Sequence, residues 1–451
     1  MIYYSAEERS DTMAEIIILS VFALALIFCV VLDFSVLVAL VFGFFLFAGY
    51  ALYKKHSVAD VFAMSFSGIK TVKNILITFV LIGIITAVWR VSGTIPYIVY
   101  HSTKLCTPDT MLLATFLLCG LISTLTGTAF GTAATMGMIC TTIANGMGIP
   151  PILSGGAMLA GCFFGDRCSP MSTSALLIST LTKTDIYRNI KNMIRTAVVP
   201  FLITCCVYVF LGMRTESVGA TDVHTVFAEN FVLNIYLLIP AAIIIILSLF
   251  KVNVKITMSI SIVAATILAL LVQKTAPAEL LKIFLFGYSP ENESLAALLS
   301  GGGIFSMTNV ILIVCISSCY AGIFKKTGLL DSLKVSLTAL GKKSTPFGSV
   351  LITAVISSMV ACNQTLAIML TYQLCDEVER DEYRMANYLE NTAVVISPLI
   401  PWSIACAVPL GSADAPTLSI LAACYLYLLP IWNIIISYYH KKNKKKKNPQ
   451  V

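Results

Sequence analysis

Charged residues are scarce in this chain of 451 residues, where Asp, Glu, Lys and Arg together make up 12%. A soluble domain carries about 25% charged residues. Hydrophobic residues instead account for 58% of the chain, which is more than a soluble core of this length can use. We therefore predict an all-α polytopic membrane protein with about ten to twelve transmembrane helices of about 20 residues each.

Sequence motifs of enzymes and metal sites are also absent. The chain has no CxxC pair, no Cys/His spacing of a zinc site, and no HExxH or GxSxG motif. The run Gly301-Gly302-Gly303 lacks both the GxGxxG pattern and a P-loop lysine. We therefore predict that the chain is not an enzyme and has no cofactor. The net charge of +7 lies mainly in short loops and the C-terminal tail, which indicates lipid contacts rather than nucleic-acid binding.

The distribution of basic residues orients the apolar segments, because short loops rich in Lys and Arg stay in the cytoplasm. Basic residues are concentrated at Lys54 and Lys55 and in the loops 183–195 and 325–343, all of which we therefore place in the cytoplasm. The acidic loop 214–230 is expected outside. These assignments fix the sense in which the segments between them cross the membrane.

Two long stretches, 111–182 and 346–412, are apolar but interrupted by Gly, Ser, Thr and Pro. The first begins outside, after Arg90, and ends inside, whereas the second begins inside and emerges outside near Asp414. Two interrupted regions of opposite sense indicate inverted repeats with broken or re-entrant helices, whose half-sites meet near the middle of the bilayer.

The resulting organisation has three parts. A cytoplasmic segment, 1–13, precedes a transmembrane transporter domain, 14–439, and a basic cytoplasmic tail, 440–451, follows it. We expect this multi-pass protein in the plasma membrane of a prokaryote, and whether it forms a homo-oligomer stays open.

The first interrupted region alternates glycine with threonine at Gly127, Thr128, Gly131 and Thr132. Glycine lets the backbone leave a helix and expose carbonyls, and threonine supplies a further oxygen. Neutral oxygens of this kind suit a hard cation such as Na+. The alternative interpretation is close helix packing through small residues.

Asp166 is the first candidate ion-binding carboxylate, because it follows an apolar run and an acid inside a membrane is costly. Pro170 frees a backbone carbonyl nearby, and Ser169 adds a hydroxyl, so the three could bind Na+ or a proton. Arg167 could hold a carboxylate substrate. Alternatively, Asp166 and Arg167 form an ion pair in a loop at the membrane surface.

The second interrupted region places two amides, Asn363 and Gln364, directly after an apolar run, where each needs hydrogen-bond partners, and Asn363 is a candidate neutral ligand of the ion. Gln364 is a further candidate for contact with an organic substrate. Glu390 is the second candidate carboxylate, although it could also be the last solvated member of the charged stretch 376–384.

The residues that follow Glu390 repeat the order of the first region, with an acid and then a Ser-Pro pair. Asn391, Thr392 and Ser397 are predicted to supply neutral ligands, and Pro398 is predicted to break the helix, as are Gly127, Gly131 and Pro170.

At these residues the chain resembles the NhaC family of sodium/proton antiporters over roughly residues 110–435. The resemblance is carried by Gly127–Thr132, Phe164–Pro170, Gly301–Met307 and Glu390–Trp402. It implies Na+/H+ antiport by alternating access, with Na+ and H+ competing for Asp166 and Glu390. The family also includes malate/lactate and amino-acid exchangers, so the resemblance does not fix the substrate.

The chain departs from the family pattern at two places. Asn363 stands in Cys362-Asn363-Gln364 where many members have Asp, and Ser172 stands where the family usually has Asp. Since Asn363 cannot ionise, these departures give some weight to the alternative function, a Na+- or H+-coupled exchanger of small organic anions or amino acids, while Na+/H+ antiport stays the leading prediction.

Overall fold

The computed structural model describes residues 6–32, 34–105, 107–215, 223–250, 252–292, 295–296, 299–327, 345–376 and 378–447. Helices dominate these ranges, and within them the structure has no β-strand beyond one isolated bridge between Tyr288 and Gly301. Of the loops used above for orientation, residues 216–222 and 328–344 lie outside the described part.

The helices of the N-terminal half are α1 Ala6–Val31, α2 Val36–Tyr53, α3 Val58–Thr71, α4 Lys73–Val91, α5 Thr94–Leu105, α6 Pro108–Thr126, α7 Ala129–Thr132, α8 Met138–Gly146, α9 Pro151–Arg167, α10 Thr173–Leu181 and α11 Ile186–Arg214. A π-helical turn, Ala133–Gly137, joins α7 to α8.

The helices of the C-terminal half are α12 Val223–Asn230, α13 Ile239–Leu249, α14 Val254–Leu271, α15 Pro277–Phe286, α16 Thr308–Thr327, α17 Pro346–Ala361, α18 Gln364–Cys375, α19 Glu382–Asn391, α20 Ala393–Ile396, α21 Ile404–Ser412 and α22 Cys424–Lys447. Short 3-10 turns lie at Ile235–Leu238, Ile304–Met307, Ser397–Leu399 and Thr417–Ala422.

Several of these helices can cross a bilayer. Four described helical segments are long and apolar enough: Pro108–Thr126, Ile186–Arg214, Val254–Leu271 and Ile304–Phe324. The described total is six if each of two bent pairs forms one span, with bends of 52° after Lys70 and 60° after Leu399. This confirms an all-α polytopic membrane protein, while the total of ten to twelve crossings stays a prediction.

The first interrupted region contains a tight reversal between α6 and α7. Gly127 takes φ +69° at the end of α6, and its N–H donates to the Ser123 carbonyl at 2.8 Å. Thr128 is extended and caps the next helix, its hydroxyl accepting the Gly131 N–H at 3.2 Å. A left-handed residue followed by an extended cap lets one helix end and another begin without orphan backbone groups.

The second interrupted region repeats this geometry between α17 and α18. Cys362 takes φ +53°, and its N–H donates to the Ser358 carbonyl at 3.3 Å. Asn363 is extended and caps α18, its side-chain oxygen accepting the Thr365 N–H at 2.9 Å. Thr128 and Asn363 therefore occupy equivalent positions, each just after the left-handed residue.

Each region also has another break, which we call its second break, capped by a serine. Ser172 caps α10 and accepts two backbone N–H groups, and Ser403 caps α21 and accepts one. Pro170 and Pro401 stand two residues before these caps. By this position Pro170 matches Pro401, whereas the Ser-Pro pattern matches it with Pro398.

Three of the four predicted helix-break residues lie where an α-helix ends or reverses. Pro398 lies in the 3-10 turn Ser397–Leu399, directly after α20 ends at Ile396 and next to the 60° bend that follows Leu399. Gly131 lies inside α7, where a Cβ would meet the side chains of Thr128 and Val254, so close packing explains this glycine. Gly127 and Pro170 do lie at breaks.

The two breaks within each region touch one another. A Cβ on Gly127 would lie 2.6 Å from the carbonyl carbon of Met171, so the reversal packs directly against the second break. In the other region the Ile404 N–H donates to the Cys362 carbonyl at 2.9 Å. The regions also interlock, since α7 contacts α21 and α18 contacts α10.

Two contacts of charged side chains join segments that are far apart in the chain. Arg188, in the first turn of α11, lies 4.0 Å from the ring centre of Tyr383, at the start of α19. Arg90 and Asp414, both expected outside, form an ion pair at 3.5 Å. The orientation derived from loop charge itself stays a prediction.

Candidate functional site

A group of buried polar residues lies where α9 and α19 end, next to the last helix. Its members are hydrogen-bonded or electrostatically coupled to one another, and we call them the buried polar cluster: Arg167, Glu390, Asn391, Tyr425 and Asn433. Arg167 and Asn391 are fully buried, and Glu390 is 1% exposed. Charged groups at this depth need partners inside the protein.

Asp166 lies beside the cluster, at the first break. Its Oδ2 accepts a hydrogen bond from the Ser174 hydroxyl at 3.2 Å, and the Ser172 hydroxyl and the Ala129 N–H also adjoin the carboxyl group. The carboxylate therefore lies between the start of α7 and the start of α10. Since Asp166 is buried, the interpretation as a surface ion pair with Arg167 is wrong.

Arg167 does not pair with Asp166 in the described structure and is held by uncharged groups. Its Nη1 donates to the Tyr425 hydroxyl at 3.0 Å, and its Nη2 donates to the Met193 carbonyl at 3.3 Å, to the Thr196 hydroxyl at 3.4 Å and to Asn391 Oδ1. Among the described residues, no Asp or Glu oxygen lies within 4.0 Å of its guanidinium. Only Nε has no partner there.

Glu390 differs from the other members of the cluster in its hydrogen bonding. Neither of its carboxylate oxygens has a hydrogen-bond partner within the described part of the chain, although the side chain is buried. Arg167 lies within electrostatic range but not in contact. A buried polar group without a partner is unfavourable by about 1–3 kcal/mol, and more when charged. These oxygens are therefore open to a ligand or a proton.

Asn391 connects Arg167 to the last helix. Its Nδ2 donates to Asn433 Oδ1 at 3.1 Å, and Asn433 Nδ2 donates to the Leu429 carbonyl at 2.8 Å. Thr392, whose backbone departs from helical geometry between α19 and α20, donates its hydroxyl to the Tyr388 carbonyl at 2.7 Å.

The remaining predicted residues divide between the two reversals. Thr128, Thr132 and Ser169 lie in the first region: the Thr132 hydroxyl is 3.3 Å from that of Thr126, and Ser169 Oγ accepts the Met171 N–H at 3.2 Å. They share this region with Asp166, so a carboxylate and several neutral oxygens occur near one break.

The predicted residues of the second reversal are all uncharged. Ser397 lies 3.1 Å from Ser358, hydroxyl to hydroxyl, and Gln364 Nε2 donates to the Val394 carbonyl at 3.1 Å. Asn363 uses its side-chain oxygen to cap α18. Asn363 therefore serves as a helix cap, and this role does not require a side chain that can ionise.

Sequence reasoning missed Tyr425, Asn433, Thr196 and Ser174. Asn433 carried the same signal as Asn363, since it is an amide inside an apolar crossing. Tyr425 carried none, because tyrosine is common in membrane helices. Thr196 and Ser174 are hydroxyls among many in the chain, and only the tertiary contacts distinguish them.

Comparison with known proteins gives one family match and several full-length relatives. The model of the family described as "Na+/H+ antiporter family" matches residues 161–440, which include the whole buried polar cluster. The malate-2H(+)/Na(+)-lactate antiporter of Bacillus subtilis is 29% identical, covering 96% of both chains. The Na(+)/H(+) antiporter NhaC of Alkalihalophilus pseudofirmus is 27% identical, covering 94% of this chain and 93% of its own. The arginine/ornithine antiporter ArcD of Halobacterium salinarum is 28% identical, covering 81% of this chain and 78% of its own.

Proposed function

The chain belongs to the Na+/H+ antiporter family, and we propose that it exchanges Na+ for H+ across the membrane by alternating access. The membership confirms the resemblance drawn from the sequence motifs. The observation that carries the proposal is the Glu390 carboxylate, which is buried and has no hydrogen-bond partner on either oxygen within the described structure.

A carboxylate in this position can bind a proton or Na+ but not both at once. When it is ionised and empty, its charge is compensated only at a distance by Arg167, which is unfavourable in a low-dielectric interior. Binding of either a proton or Na+ compensates the charge of the carboxylate and removes this penalty. Competition for one carboxylate therefore couples the release of one cation to the uptake of the other.

We propose Asp166 as the second cation-binding carboxylate. It lies at the first break, beside the helix start that Thr128 caps and the hydroxyls of Ser172 and Ser174. A carboxylate with several neutral oxygens matches the preference of Na+ for hard oxygen ligands. Asn391 is proposed to act on Glu390 indirectly, because its side chain bonds to Arg167, and Thr392 stays a proposed neutral ligand.

The experiment is Na+-driven proton movement in proteoliposomes that hold a pH-sensitive dye. We expect Glu390→Gln to lower the initial rate by at least about tenfold, equivalent to about 1.4 kcal/mol. Glu382→Gln is the matched control, because Glu382 lies on the same helix but is exposed. Equal rates in Glu390→Gln and the control would remove Glu390 from the mechanism.

Exchange of organic anions or amino acids is the second candidate function. It is supported by the similarity to a malate/lactate antiporter and to an arginine/ornithine antiporter. Arg167 is a less suitable ligand for a substrate carboxylate than the sequence indicated, because both of its Nη atoms already donate to protein groups and only Nε is free. Counterflow assays with malate, lactate, arginine and ornithine would distinguish the two functions.

We also infer that regions 111–182 and 346–412 are inverted-repeat counterparts within the transporter domain 14–439. Support comes from the matched reversals at Gly127-Thr128 and Cys362-Asn363. The C-terminal tail would then be cytoplasmic in a prokaryotic plasma membrane. Reporter fusions after α11 and after α22 test this, since fusions with opposite activity are expected.

A further inference from the structure

We propose that Tyr425 and Asn433, on the last helix α22, are positioning residues that hold Arg167 away from Glu390 and so keep the Glu390 carboxylate open to a cation. This inference rests on the proposed role of Glu390. It concerns residues that lie outside both interrupted regions and carry no charge.

Tyr425 is fixed in place by its surroundings. The residue is fully buried, and its ring centre lies 5.2 Å from that of Phe164 and 6.2 Å from that of Phe116. Aromatic contacts on this scale hold a ring in one orientation. The hydroxyl therefore stays where it accepts the hydrogen bond from Arg167 Nη1, at 3.0 Å.

Asn433 acts on Arg167 through Asn391. Because Asn433 Nδ2 is used by the Leu429 carbonyl, its Oδ1 must face Asn391, and there it accepts the Asn391 Nδ2 hydrogen bond at 3.1 Å. An amide whose nitrogen is held on one side presents its oxygen on the other. Asn391 Oδ1 is thereby directed at Arg167 Nη2.

The two Nη groups of Arg167 therefore donate to neutral groups, and Nε has no partner in the described structure, although a carboxylate lies within electrostatic range. A buried guanidinium and a buried carboxylate that are free to move would pair directly, because contact offsets the penalty of removing both from water. In the described structure they do not pair, and the orphan oxygens of Glu390 remain. Tyr425 holds Nη1 directly, and Asn433 acts on Nη2 through Asn391, so α22 contributes to this separation together with Met193 and Thr196 of α11.

The separation has a consequence for cation binding. If Arg167 were released, it could turn to Glu390 and occupy the position of the transported cation. Na+ would then have to displace the guanidinium before it could bind. Loss of the Tyr425 hydroxyl should therefore weaken Na+ binding while leaving the maximal transport rate close to that of the wild type.

The test compares Tyr425→Phe with Tyr208→Phe. Tyr208 is a matched control, because it is also fully buried and also packs on Phe116, at 5.4 Å, but its hydroxyl donates to the carbonyls of Gly156 and Ala422. We expect the KM for Na+ in proteoliposomes to rise by about tenfold in Tyr425→Phe, with the maximal rate within about twofold of wild type. In Tyr208→Phe we expect no change in this KM.

Asn433→Leu is a second variant, for which we also expect a higher KM for Na+. It tests the proposal if Tyr425→Phe does not fold. Na+-dependent thermal stabilisation of the purified protein gives a second readout that does not need proton transport. An unchanged Na+ dependence in both α22 variants, or an equal change in Tyr208→Phe, would overturn the proposal. Absence of Na+-driven proton movement in the wild type would instead count against the proposed function, and Na+ binding would still test the positioning role.

Discussion

Replacement of Gly127 by alanine should disrupt the first reversal, and the size of the effect can be worked from its geometry. At φ +69°, a residue with a Cβ is strained by about 1–2 kcal/mol. The new Cβ would also lie 2.6 Å from the carbonyl carbon and the Cβ of Met171. Relief of such an overlap by backbone shifts adds about 1–3 kcal/mol. We therefore expect Gly127→Ala to destabilise the protein by about 2–5 kcal/mol.

Gly49→Ala is the matched control. Gly49 lies inside α2, and a Cβ there would have no heavy atom within 4 Å. Since glycine inside a helix is less stable than alanine by about 0.5–1 kcal/mol, this variant should be neutral or slightly stabilised. The two alanine substitutions should thus change stability in opposite directions.

Thermal unfolding in detergent measures the difference. The cysteines that the structure describes are free and mostly buried, so a thiol-reactive dye reports when the helices separate. Gly127→Ala should unfold at a clearly lower temperature than Gly49→Ala and lose most Na+/H+ exchange, because its reversal packs on the break beside Asp166. A wild-type unfolding temperature and wild-type exchange in Gly127→Ala would refute the assigned geometry.

Three further changes have defined outcomes. Asp166→Asn should lower Na+-driven proton movement by about tenfold or more, whereas Asp109→Asn, an exposed acid in the first turn of α6, should not, as the same dye assay can measure. Cys362→Gly should retain exchange and stay within about 1 kcal/mol of wild-type stability, because glycine removes the strain of a φ of +53° while the packing of a buried thiol is lost. Thermal unfolding measures the stability, and an inactive variant would show that the thiol itself is needed. Arg167→Lys should be inactive or poorly folded in size-exclusion and exchange assays, since one ammonium cannot serve both Tyr425 and Asn391; normal activity would mean that the guanidinium fork is dispensable.

The fold class followed from composition alone, because a chain with so few charges has to use lipid as its solvent. The helix breaks followed in part. Gly127 is a glycine at a left-handed position, which sequence reasoning recognises readily. Cys362 takes the same conformation without being glycine, so its reversal was indicated only by the amides that follow it.

The candidate site was likewise predicted only in part from the sequence. Asp166 and Glu390 were identified because a carboxylate in an apolar run is costly wherever the fold places it. Their environments were not predictable. Asp166 is hydrogen-bonded by Ser174, eight residues away, whereas Glu390 lacks such partners in the described structure. Pro398, which the Ser-Pro pattern favours as a break, lies between the end of α20 and the 60° bend after Leu399, whereas Gly131 lies inside α7.

By itself, the sequence determined that the chain lies in a membrane, which two stretches are interrupted, and which acids are candidates for ion binding. Each of these depends on local composition and on the unfavourable transfer of polar groups into lipid. Only the tertiary structure decided that Arg167 donates to Tyr425, 258 residues further along the chain, rather than to an acid. Hydrogen bonds between distant helices depend on how the helices pack, and local patterns along the chain do not reveal that packing.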